Sequence, residues 1–113
     1  MRKTTVIVLV LGIALLAPVV VFAADKGEDI YKTKCVVCHG QMGNGKTPLG
    51  EKQKLRPLAS PEVQKLTDAE LTAMIADGGP AKKSSHTFKS KGLNVEQIKA
   101  LVGYIRSLAA PKQ

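Results

Sequence analysis

The clearest pattern lies near the C-terminal end, where Val95, Ile98, Leu101, Val102, Ile105 and Leu108 recur at intervals of three and four residues. That spacing lays an apolar stripe along one helix face, which Asn94 opens with Gln97 three residues on and Pro111 closes. A shorter stripe runs through Leu71, Met74 and Ile75. It follows Leu66 and the capping-box sequence Thr67-Asp68-Ala69-Glu70, and it stops at Asp77-Gly78-Gly79-Pro80. Asp25 to Lys34, polar apart from Ile30 and Tyr31, predicts a short leading helix. Between these, Gly40-Gln41-Met42-Gly43-Asn44-Gly45 breaks regular structure, and Pro48, Pro57 and Pro61 exclude a long helix or strand before Leu66. No segment alternates with period two and no unit repeats, so the pattern predicts an all-α chain with loops.

The longest apolar run lies outside these elements. Val6 to Phe22 follows Arg2 and Lys3 and precedes small residues, the three-part form of a secretory signal. Val21 and Ala23 suit the third and first positions before the cut, which places cleavage after Ala23: residues 1–23 are the signal peptide and 24–113 the folded domain. An uncleaved membrane anchor is the alternative, although the run holds Gly12 and Pro18 and falls short of the ~20 residues of a span. Either way the chain is exported, and the periplasm is its expected compartment.

Losing Arg2 and Lys3 lowers the 17 basic residues to 15 against nine acidic ones, a mature charge of +6. That favours acidic partners. Nucleic acid is not among them, because an exported chain does not meet it and the lysines are dispersed from Lys26 to Lys112 instead of clustered. The domain keeps only Tyr31, Phe88 and Tyr104 as aromatics and sits near the size at which a single core is marginal. A disulfide, a metal or a buried cofactor is needed to complete it.

Both cysteines fall in Cys35-Val36-Val37-Cys38-His39, the C-x-x-C-H attachment signature of a c-type haem. Two thiols three positions apart can each add to one vinyl group on the haem edge, and the next residue then sets an imidazole against one face of the iron. Cys35 and Cys38 are the candidate anchors of one haem c, and His39 is the candidate proximal ligand. A zinc site would need four ligands, and beyond His39 only His86 is available. A thioredoxin-like disulfide would follow a strand, and no strand-like run precedes Cys35.

On these residues the chain from 25 to 109 resembles a class I (monohaem) cytochrome c of the small bacterial exported type. The stretch from Tyr31 to Gly40 carries the specific motif. Gly43-Asn44-Gly45-Lys46-Thr47-Pro48, Leu66 to Leu71 and Ile98 to Leu108 corroborate it. The resemblance implies three to four helices around one covalently bound haem, and a leading helix that crosses the last one. Gly27 and Tyr31 have the spacing of that contact, and Leu101 and Tyr104 form the reciprocal face. It also implies that Pro48 offers its carbonyl to the Nδ1–H of His39. Arg56 is a candidate donor to a haem propionate.

The family's usual distal methionine, in a Met-Pro-x-aromatic segment, is missing from Gly79 to Leu93. Counting back from Leu93 puts His86 in its slot; anchoring on Phe88 puts Ser85 there. Met42 and Met74 read as loop and packing residues. His86 is therefore the expected sixth ligand, with Lys82, Lys83, Lys89, water or an empty site as alternatives. Exchanging a thioether for a nitrogen donor lowers the potential, so the expectation is a low-potential, monomeric periplasmic carrier of single electrons. Lys82, Lys83, Lys89 and Lys91 would steer it to acidic patches on redox partners. No identifiable constellation for acid–base catalysis accompanies His86, which argues against an enzyme. A haem-based sensor or small-ligand binder with a labile distal side is the alternative, and a peroxidase-like activity is the third reading.

Overall fold

The computed structural model describes residues 22–109. Nearly all of the expected signal segment lies outside that range. The elements in order are α1 (Phe22–Lys34), α2 (Val36–His39), α3 (Pro48–Lys52), α4 (Pro61–Gln64), α5 (Asp68–Asp77), a 3-10 turn (Ser84–His86) and α6 (Val95–Leu108). Among the described residues there is no strand, so the all-α expectation holds.

Among the described residues there are six helices, and the three long ones, α1, α5 and α6, are the expected frame. The others are single turns. The prolines that exclude a long helix from this region instead start two short ones. Pro48 and Pro61 each follow an extended cap residue, Thr47 and Ser60, and the Thr47 hydroxyl accepts from the Gly50 amide. The longer helices begin as the sequence predicts: Thr67 with Glu70, and Asn94 with Gln97, each close a reciprocal capping box. α5 ends at Gly78, whose φ of 81° lies in the left-handed region that glycine tolerates.

The apolar stripe of α6 turns Ile98, Leu101, Val102 and Ile105 into the core beside Leu71 and Ile75 of α5. Val95 departs from the expectation. At 72% exposure it lines, with Ala69 and Thr72, a groove of about 410 Å³ between α5 and α6.

α1 meets α6 at Gly27. A Cβ there would collide with the Ala100 carbonyl and sit 3.1 Å from the Tyr104 Cβ, so the missing side chain is what admits the close approach. One turn on, Tyr31 is 1% exposed and its ring lies 4.9 Å from that of Tyr104 at 47°, a tilted aromatic pair that adds to the area buried. The Tyr31 hydroxyl donates to the Gly40 carbonyl at 2.6 Å, directly after the C-x-x-C-H motif. Burial pushes the Tyr31 phenol well above its ordinary range, so it stays a donor.

The far end of α6 is tied by Arg106. Its guanidinium donates to the carbonyls of Gln64 (2.8 Å) and Leu66 (2.5 Å) and pairs with Asp68 (2.8 Å). Gln64 in turn donates to the carbonyls of Leu58 and Ile105. The α4–α5 link thus hangs on one side chain of α6.

Replacing Gly27 by alanine forces these helices apart, and the cost expected of overpacking is about 1–3 kcal/mol; a lower urea midpoint at unchanged m-value checks it. Arg106→Ala strips charged donors from two part-buried carbonyls and lowers stability by about 2–3 kcal/mol, whereas Arg56→Ala changes it by less than about 0.5 kcal/mol.

Candidate functional site

The C-x-x-C-H motif is itself a turn of helix. Cys35 caps α2, and its carbonyl accepts from the His39 amide at 2.9 Å. Three- and four-residue spacing therefore groups Cys35, Cys38 and His39 on adjoining positions of one turn. Both cysteines are half-buried, and neither is in a disulfide. Before any bond to haem forms, burial, then the neighbouring Cys38, raises the Cys35 thiol to about 11, which keeps it protonated. Val37, between the thiols, is 65% exposed.

The loop after the motif wraps back onto its carbonyls. The Thr47 hydroxyl donates to the Cys38 carbonyl at 2.8 Å, and the Gly45 amide donates to the His39 carbonyl at 2.8 Å. Gly45, at φ 71°, also leaves room for Leu55, whose carbonyl oxygen would lie 2.8 Å from a Cβ there. The expected bond from His39 Nδ1 to the Pro48 carbonyl is not made. Pro48 is exposed at the first position of α3, where its carbonyl belongs to the helical ladder, and His39 Nδ1 is buried without a hydrogen-bond partner. Arg56 is exposed and makes no hydrogen bond among the described residues; its charge is felt by Glu62.

The opposite wall comes from the segment after α5. Its backbone is pinned to the last turns of that helix: the Lys83 amide donates to the Gly78 carbonyl, Phe88 to Ile75 and Lys89 to Ala76. Between these anchors the 3-10 turn carries His86, whose ring faces that of His39 with centroids 5.9 Å apart and planes within 15°. The Phe88 ring flanks His86 at 6.3 Å. Of the two residues that the sequence left open for this position, His86 faces the motif, and Ser85 is exposed. Met42 is 57% exposed, and the Met74 thioether lies against Gly79.

Both imidazoles hide Nδ1 from solvent and leave it unpaired; Nε2 of each ring is neither buried nor hydrogen-bonded among the described residues. Burial, and secondarily the facing imidazole, lowers His39 to about 4. Burial with the charges of Lys83 and Lys91 lowers His86 as well. Two neutral imidazoles with open Nε2 atoms are the form that binds a metal. Nitrogens about 2.0–2.1 Å on either side of one ion put imidazole centroids roughly 6 Å apart, and the 5.9 Å separation of this pair is of that size. Among the described residues no three His, Cys, Asp or Glu side chains are placed to hold one metal ion together, which gives the zinc alternative no support.

Several contacts have no local sequence signal. The partners of Arg106 lie 38 to 42 residues away, and Tyr31 reaches Gly40 across nine. Only the Thr47-Pro48 pair could have been read, as a cap and first helical position.

A cytochrome c family model matches residues 24–109. No curated protein and no solved structure matches the chain. Among the described residues no helix is long and apolar enough to cross a membrane. With the family match taking in the C-x-x-C-H turn and all but the first two residues of the described helices, the chain belongs to the cytochrome c family, a haem-based electron carrier whose haem c is bonded through Cys35 and Cys38.

Proposed function

We propose that this protein is a low-potential carrier of single electrons in the periplasm, with His39 and His86 as the two axial ligands of one haem iron. The single observation behind this reading is the near-parallel pair of imidazoles 5.9 Å apart, one on the motif and one on the segment after α5. The bound haem supplies a one-electron Fe(III)/Fe(II) couple.

The chain's own residues set what that couple does. Cys35 and Cys38 would hold the haem by two thioether bonds to the turn of α2. His39 and His86 present neutral nitrogens, and two such donors lower the potential relative to a histidine–methionine pair. With both imidazoles held by one iron, no position would be left for a substrate. This supports outer-sphere transfer and disfavours the sensor and peroxidase-like readings. The exposed Lys82, Lys83 and Lys89 give the segment around His86 a positive field, which suits approach to an acidic patch on a redox partner.

The purified holoprotein is expected to show a low-spin bis-imidazole EPR signal, to lack the far-red sulfur-to-iron band and to bind carbon monoxide slowly when reduced. His86→Ala should convert it to a form that binds carbon monoxide rapidly; a low-spin spectrum untouched by that change overturns the axial assignment. The double variant Cys35→Ser/Cys38→Ser, matured in an exporting host, should emerge colourless and with the mass of the bare peptide.

A further inference from the structure

The segment from Pro80 to Gly92 carries four exposed lysines, which the sequence treats alike as docking charges. The structure separates one of them. Lys82, Lys83 and Lys89 make no side-chain hydrogen bond among the described residues. Lys91 folds back, with its Nζ 3.2 Å from the Ser85 carbonyl, 3.4 Å from the Ser84 carbonyl and 5.0 Å from the centre of the Phe88 ring.

Those three contacts surround His86. Ser84 and Ser85 are the first two residues of the 3-10 turn that carries it, and Phe88 is the ring beside it. The Ser85 carbonyl takes no other donor among the described residues. Lys91 is itself held from behind: its amide donates to the Thr87 and Phe88 carbonyls, and two residues on Leu93 is buried in the core with its amide on the Phe88 carbonyl. The anchors to α5 fix both ends of the segment, at Lys83 and at Phe88–Lys89. Between them His86 rests on the turn's own bonds and on the Lys91 ammonium.

We propose that Lys91 is a positioning residue for the sixth ligand: by bridging the Ser84 and Ser85 carbonyls to the Phe88 ring it holds the His86 turn closed. This rests on the bis-histidine reading. The role is geometric, since a cation over an aromatic face and a donor to turn carbonyls both need the ammonium where it is, and the other lysines of the segment share its charge without its contacts.

Cyanide binding to the ferric holoprotein measures the opening directly, because at saturating cyanide the observed rate is that at which the sixth ligand leaves. Lys91→Ala is expected to raise this limiting rate about three- to tenfold, with Lys91→Arg restoring it and Lys89→Ala leaving it at the wild-type value. Amide exchange at His86, which is read with no added iron ligand, should quicken in Lys91→Ala. A Lys91→Ala rate within about twofold of Lys89→Ala, with unchanged exchange at His86, overturns the positioning role alone. An unaltered low-spin spectrum in His86→Ala overturns the ligation and this role together.

Discussion

Two helices can approach at backbone distance only where neither has a side chain in the way, and Gly27 is where α1 meets that condition against α6. The rest of the molecule is referred to this crossing. Tyr31, one turn further, fills the space beside Tyr104 and reaches the Gly40 carbonyl, so the helix that precedes the haem motif and the carbonyl that follows it are fixed by one phenol. α6 then carries the frame to its other end through Arg106, which sets the α4–α5 link and hence the start of α5. The segment bearing His86 hangs from the end of α5. The two facing imidazoles thus belong to distant parts of the chain, brought to 5.9 Å by a path through one helix pair.

Much of this was legible because it is local. Capping boxes at Thr67 and Asn94, the glycine stop after Asp77 and the apolar stripe of α6 depend on residues within a turn or two, and each appears where the pattern places it. The motif at Cys35 was legible for the same reason. Gly27 and Tyr31 were readable through the family resemblance, and they occupy the crossing. Val95 failed because a stripe gives a direction around a helix but not the length over which a neighbour covers it. Pro48 failed for a different reason: a proline after an extended threonine starts a helix, and that commits its carbonyl to the helix. Arg56 and Arg106 are indistinguishable as sequence, since an arginine's partners depend on which backbone carbonyls the fold leaves open beside it.

The site combines strong attachment on one side with looser attachment on the other. His39 is part of the helical turn that contains both thiols, and the loop from Gly45 to Gly50 grips the same turn through Thr47. His86 has no covalent neighbour of that kind. It sits in a three-residue turn between two anchors on α5, within a lysine-rich surface segment. Neither Nδ1 finds a hydrogen-bond partner among the described residues. The two imidazoles therefore present similar, neutral nitrogens and differ mainly in how firmly the chain holds them.

The tilted tyrosine pair has an optical consequence. The sequence contains no tryptophan and only two tyrosines, and both stand in the same helix crossing 4.9 Å apart. All tyrosine emission of the polypeptide therefore originates at one spot. Parting of the first and last helices releases that emission from its neighbours at the moment the frame opens, so the protein carries its own fluorescent gauge of the contact on which it is built.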